Sequence, residues 1–160
     1  MEASEVWKRV FNDVEGMGPA IAARIIAGVD DIRRFPCKEQ FKAFAGVHVL
    51  PDGRFARKRS GTVSNWHPDL RQAFFLFGDQ MNRRPDSVWG RKLREYKVKL
   101  RAKHPEPVKT DKGVMRYADG HIHKMATWRT ITKFAEWLFK EWKKLEGVAA
   151  AQEVNLRKAA

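Results

Sequence analysis

The sequence predicts a mostly α fold, with a helix-hairpin-helix element, several longer helices and one short β-hairpin or basic loop. Three observations lead there. Apolar residues recur by threes and fours along most of the chain, the spacing a helix needs to bury one face. Pro, Gly, Ser and Asp stand where such helices would begin and end. Residues 47–64 interrupt the pattern most sharply, with turn residues and a dense run of cations. The 160 residues suit a single domain, taken as 4–146, with a tail at 147–160. At 43% hydrophobic and 11% aromatic, the chain can build a core without covalent staples.

Taken in order, Ser4 is placed to cap a first helix to about Asp13, with Val6, Trp7, Val10 and Phe11 on one face. Two glycines and Pro19 follow, and a second helix is expected to about Ala27, stopped by Gly28. Asp30 or Asp31 opens a short turn through Phe35. Pro36 then starts a helix carrying Phe41, Phe44 and Ala45, closed by Gly46. Residues 47–64 read as a hairpin or extended loop around Pro51-Asp52-Gly53. Asp69 to Arg84 form an apolar-rich helix with Leu70, Ala73, Phe74 and Phe77 in one arc, and Ser87 caps another to about Lys103. A loop at 104–119 precedes the longest helix, Gly120 to Leu145. Its stripe of Met125, Trp128, Ile131, Ala135, Leu138, Trp142 and Leu145 suits a core or a partner helix. The expected 147–160 tail carries no assignment.

Lys and Arg number 32 against 19 Asp and Glu, a formal charge of +13, which favours a polyanionic partner and nucleic acid first. No unbroken apolar run approaches the ~18 residues of a membrane span, and residues 1–5 lack a signal peptide's basic start and apolar run. The expected location is cytoplasmic, with no membrane partner. Cys37 is the sole cysteine, so neither an internal disulfide nor a cysteine-built zinc site is available.

Two stretches carry chemistry. In residues 14–26 the order Val14-Glu15-Gly16-Met17-Gly18-Pro19 resembles a helix-hairpin-helix turn. There the backbone around Gly16, Met17, Gly18 and Ala20 would hold a DNA phosphate beside a helix N-terminus. An ordinary tight turn is the plainer alternative. Arg54, Arg57, Lys58 and Arg59 crowd one loop just before Ser60 and Gly61, and cations this close repel one another unless anions neutralise them. A solvated charge run is the alternative there, and composition alone makes Ser60 a loop serine. Arg91, Lys92, Arg94, Lys97, Lys99, Arg101 and Lys103, set around Trp89, Leu93, Tyr96 and Leu100, give a second basic face, equally well read as a solvated one. His121 and His123 are two apart and point to different sides of a helix, so with His67 they are assigned to capping, surface titration or phosphate contact, and no metal ligand is assigned. Asp30, Asp31, Asp69, Asp79 and Asp86 are scattered over helix starts and loops, as N-caps would be.

One family resemblance joins these pieces. The order Gly16-x-Gly18-Pro19, Asp31-Ile32-x-Arg34-Phe35, Gln40-Phe41-x-Ala43-Phe44-Ala45-Gly46, Arg59-Ser60-Gly61 and Leu70-Arg71-x-Ala73 resembles the C-terminal domain of the insertion-sequence "one-ten" transposases. That family includes the pilin-gene inverting recombinase and the bridge-RNA-guided recombinases. The resemblance runs from about Val14 to Phe77. It implies a DNA-handling domain in transposition or site-specific recombination, with Ser60 as the nucleophile that joins DNA, Ser64 as a fallback and Arg71 in the DNA-binding set. Trp66-His67-Pro68 stand where the family often has a basic, glycine-containing run. Family members also carry an N-terminal nuclease-like domain whose four acidic residues bind divalent metal. The expectation is therefore no cofactor in this chain, a separate metal-binding half, DNA and a guide RNA as partners, and a homo-oligomer on DNA. A non-enzymatic DNA-binding relic or regulator, and a helical adaptor, are the alternatives.

Overall fold

A computed structural model describes residues 4–58 and 60–159, with side chains described as far as residue 147. The chain is mostly helical, as the apolar spacing predicts. A short π-helical turn, Trp7–Phe11, leads to α1 (Pro19–Val29), a 3-10 turn (Ile32–Arg34), α2 (Lys38–Phe44), α3 (Pro68–Arg83) and α4 (Val88–Lys103). Strands β1 (Val108–Lys109) and β2 (Met115–Arg116) then precede α5 (Asp119–Ala159). Helix α5 has 41 residues, about 60 Å at 1.5 Å per residue. It is the spine: α2, α3, α4, the π-helical turn and the 3-10 turn all pack on it, and α1 packs on α3.

The periodic positions become the core. Phe11, Ile25, Ile32, Phe41, Leu70, Phe74, Phe77, Ile131, Phe134 and Leu138 are buried in one cluster. Their rings meet mostly edge-on, Phe41 with Phe74 at 6.3 Å, Phe74 with Phe134 at 6.1 Å and Trp89 with Phe134 at 5.1 Å, the arrangement the ring quadrupole favours. Lys42 of α2 reaches Glu136 of α5 at 2.7 Å, and Lys133 reaches the same carboxylate at 2.9 Å. Burial opposes ionisation of Glu136, but the hydrogen bonds from Lys133 and Lys42 outweigh it and lower its pKa to about 2.

Several helix starts follow their sequence signals. Asp31 accepts from the Arg33 N–H at 2.8 Å, Ser87 Oγ from the Gly90 N–H at 3.0 Å, and Pro19 and Pro68 occupy first turns. His67 caps α3 through Nδ1, which accepts from Leu70 N–H at 3.2 Å.

Five expectations are corrected. The first helix is a π-helical turn ending at Phe11. Gly28 does not stop α1 but lies inside it, because a Cβ there would come within 3.1 Å of Leu70 Cβ; the glycine lets α1 and α3 approach. Pro36 precedes α2, whose N-cap is Cys37. The 104–119 connection, expected as a loop, holds a two-stranded sheet, with Val108 opposite Arg116 and Lys109 opposite Met115, while residues 47–64 form a loop with an isolated bridge, Val49 with Phe55, within the hairpin-or-loop expectation. Helix α5 does not end near residue 145 but continues to Ala159, its alanine run suiting a helix.

Candidate nucleic-acid interface

The glycine turn is held from both ends. Val14 N–H bonds to the Phe11 carbonyl at 3.0 Å and Met17 N–H to the Val14 carbonyl at 2.9 Å, while the Met17 side chain is buried. Gly16 has φ 86°, and a Cβ there would lie 3.1 Å from Gln80 Cβ and 3.2 Å from Arg84 Cδ. The turn therefore rests on the C-terminal end of α3 and needs glycine for both backbone and space. Gly18 is the N-cap of α1, without a side-chain cap. Pro19 has no N–H and the Ile21 and Ala22 N–H groups bond to the Gly18 carbonyl, so in the first turn the N–H of exposed Ala20 is left for an external acceptor. Arg84, next to Gly16, puts an exposed cation beside this turn. Nothing near residues 14–20 in the sequence announces it.

The basic loop leaves α2 at Gly46. Thr132 Oγ1 of α5 donates to the Val47 carbonyl at 2.6 Å, and the loop then turns back on itself, with Leu50 N–H to the Arg54 carbonyl at 2.8 Å and Gly53 N–H to the Leu50 carbonyl at 2.8 Å. Arg54 is paired with Asp52, Nε to Oδ2 at 2.6 Å, on the exposed surface of the loop, where solvent screens such a pair. Phe55 lies on Trp128 with ring centroids 6.2 Å apart, and Ala56 is buried. Arg57, Lys58, Ser60 and Gly61 are exposed; Arg59 lies outside the described residues. Gly61 takes a left-handed φ of 74° with open space around it.

Arg71 fixes this loop to the helices. Its guanidinium donates to the Gly46 carbonyl and, at 2.7 Å, to the Ala56 carbonyl. It also stacks against two indoles, 4.7 Å from the Trp66 centroid and 4.6 Å from that of Trp128. Burial lowers its pKa from the ordinary value, yet arginine remains a cation at physiological pH. Grouped with the DNA contacts in the sequence, Arg71 is placed as the residue that positions their loop. Beside it opens a cavity of about 360 Å³, lined by Lys58, Ser64, Trp66, Pro68, Arg71, Gln72, Phe75 and Trp128.

The second basic face is partnered differently. On α4, Lys92 and Lys99 both reach Glu95, at 3.0 and 2.5 Å, and Arg91 bonds to the Asp86 carbonyl. Arg101 holds the carbonyls of His104 and Tyr117 and the Asp119 carboxylate. Two histidines near the start of α5 are likewise in use. His121 Nδ1 accepts from Tyr117 N–H at 2.9 Å, and His104 stacks on Tyr117 at 3.8 Å. Burial lowers the His121 pKa, assisted by the nearby positive charge of Arg116 and Arg57. Burial also lowers that of His123. Among the described residues no three His, Cys, Asp or Glu side chains are grouped to hold a metal ion, and no helix is long and apolar enough to cross a membrane.

The model of the Transposase IS116/IS110/IS902 family matches residues 8–93. The chain belongs to this family. No curated protein and no solved structure matches it. The transposase match takes in the glycine turn, the basic loop, Arg71 and the start of α4. Most of α4 and all of α5 lie beyond it, so Trp128 and Thr132, which hold the loop, come from outside the matched stretch.

Proposed function

We propose that this transposase-family chain grips the DNA backbone with two surfaces, the helix-hairpin-helix turn at Gly16, Met17, Gly18 and Ala20 and the loop carrying Arg54, Arg57, Lys58, Arg59 and Gly61, and that Ser60 is the nucleophile of a strand-transfer reaction. The observation that carries this reading is the anchoring of the loop. Its base is fixed by Thr132, Arg71 and Trp128 while Arg57, Lys58 and Ser60 stay exposed. A hydroxyl is thereby presented among cations on a fixed support, the arrangement a phosphodiester needs for attack and for neutralising charge on phosphorus. In the step, Ser60 Oγ bonds to phosphorus, the bond from phosphorus to one sugar oxygen breaks, and the hydroxyl proton passes to a base and on to that oxygen. Among the described residues no side chain hydrogen-bonds the Ser60 hydroxyl, and the base is assigned to the metal-binding half that the resemblance implies. DNA, that half, a guide RNA and further copies of the chain are the partners in this reading.

The test is incubation with end-labelled duplex and a preparation of the family's metal-binding half, followed by denaturing electrophoresis. A protein–DNA adduct lost in Ser60→Ala and kept in Ser64→Ala supports the assignment. An adduct lost only in Ser64→Ala moves the nucleophile. DNA binding without any adduct leaves the non-enzymatic reading.

A further inference from the structure

The geometry points to the cavity beside the basic loop as a receptor for one unpaired nucleotide of the bound DNA strand, its base stacked among Trp66, Phe75 and Trp128 and its phosphate on Lys58. This rests on the DNA-binding reading above and adds to it a pocket for a base outside the double helix.

The pocket is aromatic, cationic and prebuilt. Its volume, about 360 Å³, falls in the ~300–1,000 Å³ range of pockets that take ring-sized groups. Three of its lining residues are aromatic and two, Lys58 and Arg71, are cations, and no carboxylate lines it. A second cavity, about 450 Å³, is lined by Glu39 and Glu136 as well as cations, and its Lys42 and Lys133 are already paired with Glu136. The Arg71 guanidinium lies against both Trp66 and Trp128 and is tied to two backbone carbonyls, so both indoles are held in place before any ligand arrives. Phe75 supplies the further ring. On α3 its neighbours Phe74 and Phe77 are fully buried, while Phe75 is 43% exposed, with its centroid 6.0 Å from that of Trp128. An exposed ring next to a fixed indole and a lysine matches what a base and its phosphate require, and stacking tolerates any base because each has a π-face.

A paired base is closed off by its neighbours in the stack and cannot enter such a pocket; a base turned out of the helix can. The Lys58 and Ser64 ends of the Ser60 segment both line the cavity, so an unpaired nucleotide held here lies beside the strand that the loop would engage. The exposed Gln72 amide at the lining offers both a donor and an acceptor for a base edge.

The experiment compares two DNA duplexes that differ by a single bulged 2-aminopurine. The native chain is expected to bind the bulged duplex about tenfold more tightly than the paired one and to quench the 2-aminopurine fluorescence. Phe75→Ala is expected to lose the preference and the quenching while keeping paired-duplex affinity, and Phe75→Tyr to keep all three. Equal affinity for both duplexes without quenching overturns the pocket and leaves the DNA reading standing. Binding to neither duplex overturns both. A single-stranded RNA of the same sequence that outcompetes the bulged DNA overturns the assignment to the DNA strand.

Discussion

On α4 four of the positive side chains meet partners within the fold: Lys92 and Lys99 share Glu95, Arg101 grips Asp119, and Arg91 bonds to the Asp86 carbonyl. On the loop at 47–64 Arg54 is paired with Asp52, while Arg57 and Lys58 extend into solvent from a base locked by Arg71, Thr132 and Trp128. In the sequence these two stretches look alike, each a run of cations interleaved with aromatics. The difference teaches that net charge says less about a phosphate site than whether the charges already have anions beside them and whether the backbone beneath them is fixed.

The strongest way to break the comparison is to remove the anchor. Arg71→Ala deletes two hydrogen bonds from a charged donor and two ring contacts, and is expected to cost about 3 kcal/mol in denaturant unfolding. It should raise hydrogen exchange in residues 47–64 and leave α4 protected. Glu136→Gln follows, at about 2 kcal/mol, because it leaves the largely buried Lys42 without its carboxylate. The pH dependence has a definite sign. With its pKa lowered from 4.5 to about 2, Glu136 contributes stability that is complete above about pH 4.5 and is lost as the pH falls toward 2, so the native chain should show a stability loss over that range that the Gln variant lacks. Gly16→Ala comes third, at roughly 1–2 kcal/mol for a left-handed non-glycine residue, since Gly16 also faces Gln80 and Arg84. Duplex affinity should fall with it, which would add the glycine turn to the loop as a contact surface.

Much of the fold was legible because its signals are local. Ser87, Asp31 and Pro19 begin helical elements where their chemistry suits an N-terminus, and the apolar arcs of α3 and α5 became the core. Gly28 misled because glycine serves two ends: the sequence shows a helix breaker, while the structure needs a missing Cβ opposite Leu70. The candidate site was legible only as pieces. Gly16, Gly18 and the cations before Ser60 stand close together in the chain, so their grouping could be read. Trp66, Phe75 and Trp128 meet only through the packing of α3 against α5, and the role of Arg71 depends on carbonyls 25 and 15 residues away. No spacing rule encodes such contacts.

The most direct test of the central claim is a pair of salt series on one labelled duplex, comparing the native chain with Arg57→Ala/Lys58→Ala on the loop and with Lys92→Ala/Lys99→Ala on α4. The account predicts that the loop variant lowers the slope of log affinity against log salt by about 2, close to 0.9 per lost phosphate contact, while the α4 variant leaves it unchanged. A slope that falls in the α4 variant and holds in the loop variant would contradict the account.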